Sequence, residues 1–364
     1  MFKLLKIPDT ILLFKLSLAG LLIYKIFTLK LWIVSDRIFP LVSFSDSFQI
    51  TNIYFHNIIS IISFVVIVIL LFKFKKNLLF ILVIAELLLL ATDVMRWQPT
   101  LYQYFLTLII YLIAPKKFKN YLLLLLSATY LYSGLLKFNP IFIDFNWSKH
   151  ILVEFIGLPI QYTKLTFIKL LGFIIPVIET LAGILLLTRF RRKGFYLIII
   201  THIFILIFLG KLSFSYSFAV WIWNLIMLLI ALVYLFKPKI DKLKINFLTL
   251  IWIILIFVLP SLNFFEKYYP YFSFDMYSGD KHVLYINVSL KNNDELINMY
   301  NNNDDYCLNE KVTILSYNEL GVPVTHNRWL YGRFIKSFAR KFPKLEPKYL
   351  IQYYPFTTYN IFKI

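Results

Sequence analysis

Residues 121–147, YLLLLLSATYLYSGLLKFNPIFIDFNW, carry a polar stripe and a lysine into an otherwise apolar segment. On a helix Tyr130, Ser133, Gly134 and Lys137 fall at i, i+3, i+4 and i+7, so they share one face. A lysine at the end of such a stripe either snorkels to the lipid headgroups or sits in a wet cavity, where desolvation can make it a usable base.

Working outward, the 364 residues are 60% hydrophobic and 19% aromatic with only 16% charged, too apolar for a soluble domain of this length. The formal charge of +19 would suit nucleic acid, but its distribution argues otherwise. From Glu266 onward lie 12 of the 38 basic and 10 of the 19 acidic residues, which leaves 26 and 9 in the apolar part. The excess therefore belongs to membrane loops, and a nucleic-acid partner is not expected. Cys307 is the only cysteine, so an intrachain disulfide and a cysteine-based metal cage are excluded, and no other metal-ligand cluster is evident. Lys15 interrupts the first apolar run and no small-residue cleavage site follows, so that run is expected to stay as a helix rather than leave as a signal peptide.

Apolar runs near 9–34, 52–72, 77–95, 100–114, 121–138, 165–188, 195–210, 216–236 and 246–265 predict nine transmembrane helices, the fourth and seventh short. Basic clusters follow the even ones: Lys73, Lys75 and Lys76; Lys116, Lys117 and Lys119; Arg189 to Lys193; Lys237 to Lys244. The opposite loops carry scattered charges such as Arg37, Arg96, Lys149, Lys164 and Lys211. The positive-inside rule then puts the N-terminus in the cytoplasm and exports the C-terminal segment. Abundant Lys, Asn, Ile, Phe and Tyr suit an AT-rich bacterial genome, so the expected membrane is a bacterial inner membrane and the exported side the periplasm. The expected fold is an all-α polytopic bundle, 1–265, followed by a small α+β extramembrane domain, 266–364.

In that exported segment Leu284, Ile286, Val288 and Leu290 alternate as in a strand, and KVTILSY (311–317) reads as a second one. The run NNDELINMYNNNDDYC (292–307) is polar. HNRWLYGRFIKSFARKF (326–342) spaces Leu330, Phe334, Phe338 and Phe342 four apart amid basic residues. Its apolar face is expected to cover the small sheet, with the anionic membrane surface as the alternative.

Ionisable groups at membrane depth are costly, so each is a site candidate. Glu86 and Asp93 lie seven residues apart on one face of the third helix, about 10 Å along it. Gly172, Pro176, Glu179 and Gly183 form a stripe on the sixth helix, joining close packing to a carboxylate. His202 sits midway along the seventh. Asp93 and Arg96, three apart, are expected to form a local ion pair. Glu179 and His202 each also fit plain interhelical hydrogen bonding, but a Lys, a His and several carboxylates together suggest one cavity lined by Lys137, Asp93, Glu179 and His202.

Two segments resemble a known family. SGLLKFNPIFIDFNW (133–147) resembles the part of vitamin K-dependent gamma-carboxylases where a helix ends in a small-Gly-x-Lys-Lys-Leu pattern before an acidic residue and a tryptophan. FSFDMYSGDKHV (272–283) is similar to that family's aromatic-Ser-Trp-Asp-Met stretch followed by His and Val. The wider group is the HTTM family of bacterial membrane proteins, with DoxX-like proteins as looser relatives. The resemblance implies a base acting on a reduced quinone at the exported face, a role that falls on Lys137 alone. His202 and Glu179 would support it, Tyr130, Ser133 and Gly134 would form the cofactor-binding face, and Asp275 and His282 would sit at the cavity's exported lip. The sequence departs from the family at Leu136, where the second lysine would stand, and in TDVMRWQPTLYQY (92–104), which lacks the family's histidine. The competing expectation is a non-catalytic subunit whose exported domain docks a membrane or periplasmic protein and whose buried charges hold the bundle together.

Overall fold

The computed structural model describes residues 8–50, 52–210, 218–238, 240, 245–289, 307–357 and 359–361. Leu290, the polar run through residue 306, Lys211, Lys239, Lys242 and Lys244 lie outside the described residues. Helices occupy all the expected apolar runs: α1 (Asp9–Phe27), α2 (Ile53–Phe72), α3 (Lys76–Thr92), α4 (Pro99–Ile113), α5 (Phe118–Leu135), α6 (Thr166–Leu186), α7 (Arg191–Phe208), α8 (Phe218–Phe236) and α9 (Phe247–Phe265). Among the described residues five of them, α1, α2, α6, α8 and α9, are long and apolar enough to cross a membrane. An additional wide helix, Phe142–Phe155, follows Pro140 with π-type hydrogen bonding. Asn139 starts it by accepting the Phe142 N–H at 2.9 Å.

The chain forms two compact units. The first comprises Met1–Phe27, Val66–Val83 and Pro99–Gly279. Within it neighbouring helices pack in the order α5, α6, α7, α8, α1, α4 and back to α5. Small residues set the closest crossings. A Cβ at Gly183 would lie 2.5 Å from Leu131 N and 2.8 Å from Ser127 O, and one at Gly134 would lie 2.5 Å from Thr180 N. The expected close-packing stripe of α6 thus meets α5 backbone to backbone, which only glycine permits. At one end of this unit Lys119 and Lys237 pair with Asp9 at 2.7 and 3.1 Å, while Tyr121 and Thr249 share a hydroxyl contact at 3.0 Å. At the other end Asn139 and Asn146 donate to the Ser278 and Tyr277 carbonyls at 3.1 and 2.8 Å. Gly279, at φ 97°, lies against Ile141. The two segments that carry the family resemblance are therefore in contact.

The second unit comprises Thr28–Val65, Ile84–Gln98 and Asp280–Ile364. Its sheet, β1 (His282–Ser289), β2 (Cys307–Lys311), β3 (Lys348–Tyr353) and β4 (Tyr359–Ile361), has the order β2-β1-β3-β4 with every pair antiparallel. Leu284, Ile286 and Val288 are buried, as their alternation predicts. KVTILSY is not a strand: Val312–Leu320 is a helix, α10. Its buried residues Val312, Leu315, Ser316 and Leu320 follow the helical period, which overrides the strand preference of Val, Thr and Ile. Helix α11 (Arg328–Lys341) buries Leu330, Phe334 and Phe338, each contributing roughly 1.5–3 kcal/mol. Phe334 packs on Phe39 at 5.0 Å between ring centres, and Tyr331 donates to the His282 carbonyl at 3.0 Å. Glu319 accepts the backbone N–H groups of Ile38 and Phe39.

Candidate functional site

Helix α5 runs to Leu135, and Pro140, five residues on, cannot continue it. Lys137 follows the last turn, its N–H still donating to the Gly134 carbonyl at 3.0 Å, and its side chain runs back along the stripe. Nζ donates to Ser133 Oγ at 2.7 Å and to Glu179 Oε2 at 2.5 Å, and Ser133 Oγ donates to the same carboxylate oxygen at 3.0 Å. All three residues are buried. One turn further in, Tyr130 bonds His202 Nε2. His202 Nδ1 lies 2.8 Å from Asn224 Oδ1, while Asn224 Nδ2 donates to the Val220 carbonyl at 2.9 Å. The amide oxygen is then the acceptor, so Nδ1 carries the hydrogen and Nε2 receives the Tyr130 hydroxyl. One face of α5 thereby joins Lys137, Ser133 and Glu179 to Tyr130, His202 and Asn224 through residues four or fewer apart.

Glu179 and His202 thus meet Lys137's own stripe. Asp93 belongs to the second unit, where Arg37 Nη2 approaches at 3.4 Å and the Met95 and Val42 N–H groups donate at 3.2 and 3.4 Å. Asp93 and Arg96 are not in direct contact, although the Asp93 charge still favours the Arg96 cation. Helix α3 stops at Thr92 and Asp93 is extended at φ −148°, so helical spacing no longer applies to the two residues. Arg96 instead donates to the Leu31 and Leu89 carbonyls at 3.2 and 2.9 Å and lies 5.5 Å from the Trp32 ring centre. Burial pushes its guanidinium down to about 10, still high enough to remain a cation at neutral pH. Glu86 accepts the Ser63 hydroxyl. Asp275, in the first unit, accepts Asn263 Nδ2 at 3.1 Å, and His282, in the second, packs edge-on to Tyr331 and His326.

The chain matches no protein-family model, no curated protein and no solved structure. Among the described residues no group of three or more His, Cys, Asp or Glu is placed to hold a metal ion. Gly134 is filled by α6 backbone and is a packing position. Asn224 was missed in the sequence, although an asparagine in the middle of the strongly apolar α8 was the available signal. What the arrangement offers is an amine and a carboxylate in direct contact, next to a hydroxyl–imidazole–amide chain. Both are able to hold or pass a proton.

Proposed function

We propose that the chain is an integral protein of a bacterial inner membrane with nine spans, a cytoplasmic N-terminus and an exported C-terminal segment. It is related to the HTTM and gamma-carboxylase group and works as a membrane enzyme with Lys137 as its base. The observation that carries this reading is the buried contact between Lys137 and Glu179 at the head of the α5 polar file. Glu179, 2.5 Å from Nζ, is placed to take a proton from the amine, and an amine that has shed its proton is a base. A reduced quinone supplies an acidic hydroxyl. Nζ already has Ser133 and Glu179 as partners, so a substrate hydroxyl engages Lys137 only by replacing one of them. His202, fixed by Asn224, keeps Nε2 turned to Tyr130 and holds the inner end of the file in one arrangement.

The spans and their orientation draw support from the first unit. Asp9, Lys119 and Lys237 meet at one end, where the alternating basic clusters put the cytoplasm for the N-terminus and for the ends of the fourth and eighth helices alike. A second reading, a partner-docking subunit with no catalysis, is favoured by the same fact that satisfies Nζ: a closed Lys–Ser–Glu contact also serves as a clasp between α5 and α6. Purification of wild type and Lys137→Arg from native membranes, with quantitation of co-purifying quinone, tests the enzyme reading. Quinone retained by wild type in near-stoichiometric amount supports it. Absence of quinone, with a stoichiometric protein partner instead, favours the docking subunit.

A further inference from the structure

The outer face of α11 joins basic and aromatic side chains on one arc of the helix. Its apolar side is buried in the second unit, but the opposite arc carries Arg328, Trp329, Lys336 and Arg340, separated only by Gly332 and Ala339. No acidic residue occurs anywhere in the helix. Trp329 is 42% exposed and its ring centre lies 5.5 Å from that of Phe44, itself 49% exposed, and Phe48, four residues on in the same loop, is 44% exposed. This aromatic group is held in place by charge: Arg333 donates to the Ser43 carbonyl and hydroxyl at 2.9 and 2.8 Å, and Arg333 and Arg340 grip Asp46 at 3.1 and 2.8 Å. The same loop then enters α2 within a few residues. Ile53 and Tyr54 open that helix, Tyr54 is 78% exposed, and Ile58, Ile61 and Ile62 continue the exposed apolar surface along it.

The position of this face follows from that continuity. Helix α2 is long and apolar enough to cross a membrane, so its first turn marks the hydrocarbon boundary. A surface pinned to the residues just before that turn lies at headgroup depth, the level that tryptophan, tyrosine and long basic side chains favour. We infer that the α11 outer face, with Phe44, Phe48 and Trp329, is a membrane-docking surface that rests on anionic lipid headgroups of the leaflet where α2 begins. The aromatic rings enter the interface, while Lys336, flanked on the same arc by Arg328 and by the Asp46-bound Arg340, presents basic charge to phosphate. The buried apolar side of the helix covers protein and its outer side covers lipid, so one amphipathic segment serves both surfaces. The inference rests on reading α2 as membrane-embedded, and does not depend on Lys137 chemistry.

The test uses the full chain with Cys307→Ser, carrying a single nitroxide at position 48, 329, 61 or 346, in vesicles of phosphatidylcholine with or without phosphatidylglycerol. Accessibility to oxygen, which partitions into lipid, is compared with accessibility to a water-soluble nickel chelate. Position 61 is the lipid control and position 346, exposed on the same unit, the aqueous one. Labels at 48 and 329 should show an oxygen-to-nickel ratio several-fold above that at 346 and below that at 61. Phosphatidylglycerol should raise the ratio at 48, and Arg328→Gln with Lys336→Gln should abolish that rise. Water-like values at 48 and 329 with a lipid-like value at 61 would overturn the docking surface alone, and a water-like value at 61 would overturn the embedding of α2 as well. Low access to both reagents would reveal a protein partner on the face, and indifference to phosphatidylglycerol would remove the anionic-headgroup assignment.

Discussion

Removing one member of the Lys137–Glu179 pair should destabilise the bundle far more than removing both. The two side chains are 5% and 7% exposed and 2.5 Å apart, so this is a buried pair with little solvent screening. Lys137→Met leaves the carboxylate with Ser133 Oγ, at 3.0 Å, as its remaining donor within this group, and an uncompensated buried charge costs about 3–5 kcal/mol. Glu179→Met should cost less, because Lys137 lies just past the end of α5 and its long stem can carry the ammonium toward water. The double variant replaces both charges with unbranched apolar chains and should return close to wild type, since exchanging a buried pair for apolar residues is often neutral or stabilising. Reversible unfolding of all four proteins in mixed micelles gives the coupling energy directly. A coupling below about 1 kcal/mol, the range of solvent-exposed pairs, would refute the reasoning.

Gly183→Ala should lower folded yield sharply, because its Cβ meets α5 backbone at 2.5 Å, whereas Gly332→Ala meets nothing within 4 Å and should be neutral or stabilising by up to about 1 kcal/mol; thermal denaturation of the two variants checks the contrast. Asp46 is held below the usual carboxylate range by its Arg340 hydrogen bond and then by Arg333, against desolvation. Its stabilisation is therefore present above the unfolded carboxylate value and is lost as pH falls through the folded one, so Asp46→Asn should destabilise at pH 7 and have no effect in strong acid. Burial, and then the negative charge of Glu319, push Glu310 up. Its ionised form is the disfavoured one, so Glu310→Gln should stabilise at neutral pH and lose that advantage below about pH 4, as pH-dependent melting would show. Reporter fusions after Lys76, Lys119 and Lys193 should read cytoplasm and those after Gln98 and Gly279 the exported side; an exported signal at Lys193 would break the nine-span topology.

Much of this site was legible before any fold was known. The spacing of Tyr130, Ser133, Gly134 and Lys137 identified one face of α5, and that of Gly172, Pro176, Glu179 and Gly183 identified the face of α6 that packs against it. Periodicity within a helix does not reveal which neighbour each polar group meets, so the pairing of Lys137 with Glu179 and the Tyr130–His202–Asn224 chain appeared only with the tertiary structure. Spacing also misled where a helix stopped. Asp93 and Arg96 are three apart, but Asp93 is the extended cap of a short turn, and its carboxylate turns to Arg37. In 311–317 the strand-favouring Val, Thr and Ile outweighed the three-and-four spacing of the apolar positions, which continues past the stretch to Leu320. The 142–155 helix was hidden by Pro140, Asp144 and Asn146, residues that usually mark a loop.

The most direct test of Lys137 as a base is Lys137→Arg, scored by complementation of the phenotype of a deletion strain beside the folded yield of the purified protein. Arginine keeps the charge and can hold Glu179, so the clasp between α5 and α6 should survive, but it does not shed its proton near neutral pH. The proposed chemistry predicts a protein that folds with near wild-type yield and fails to complement. Full complementation by Lys137→Arg would contradict it and leave Lys137 as a clasp.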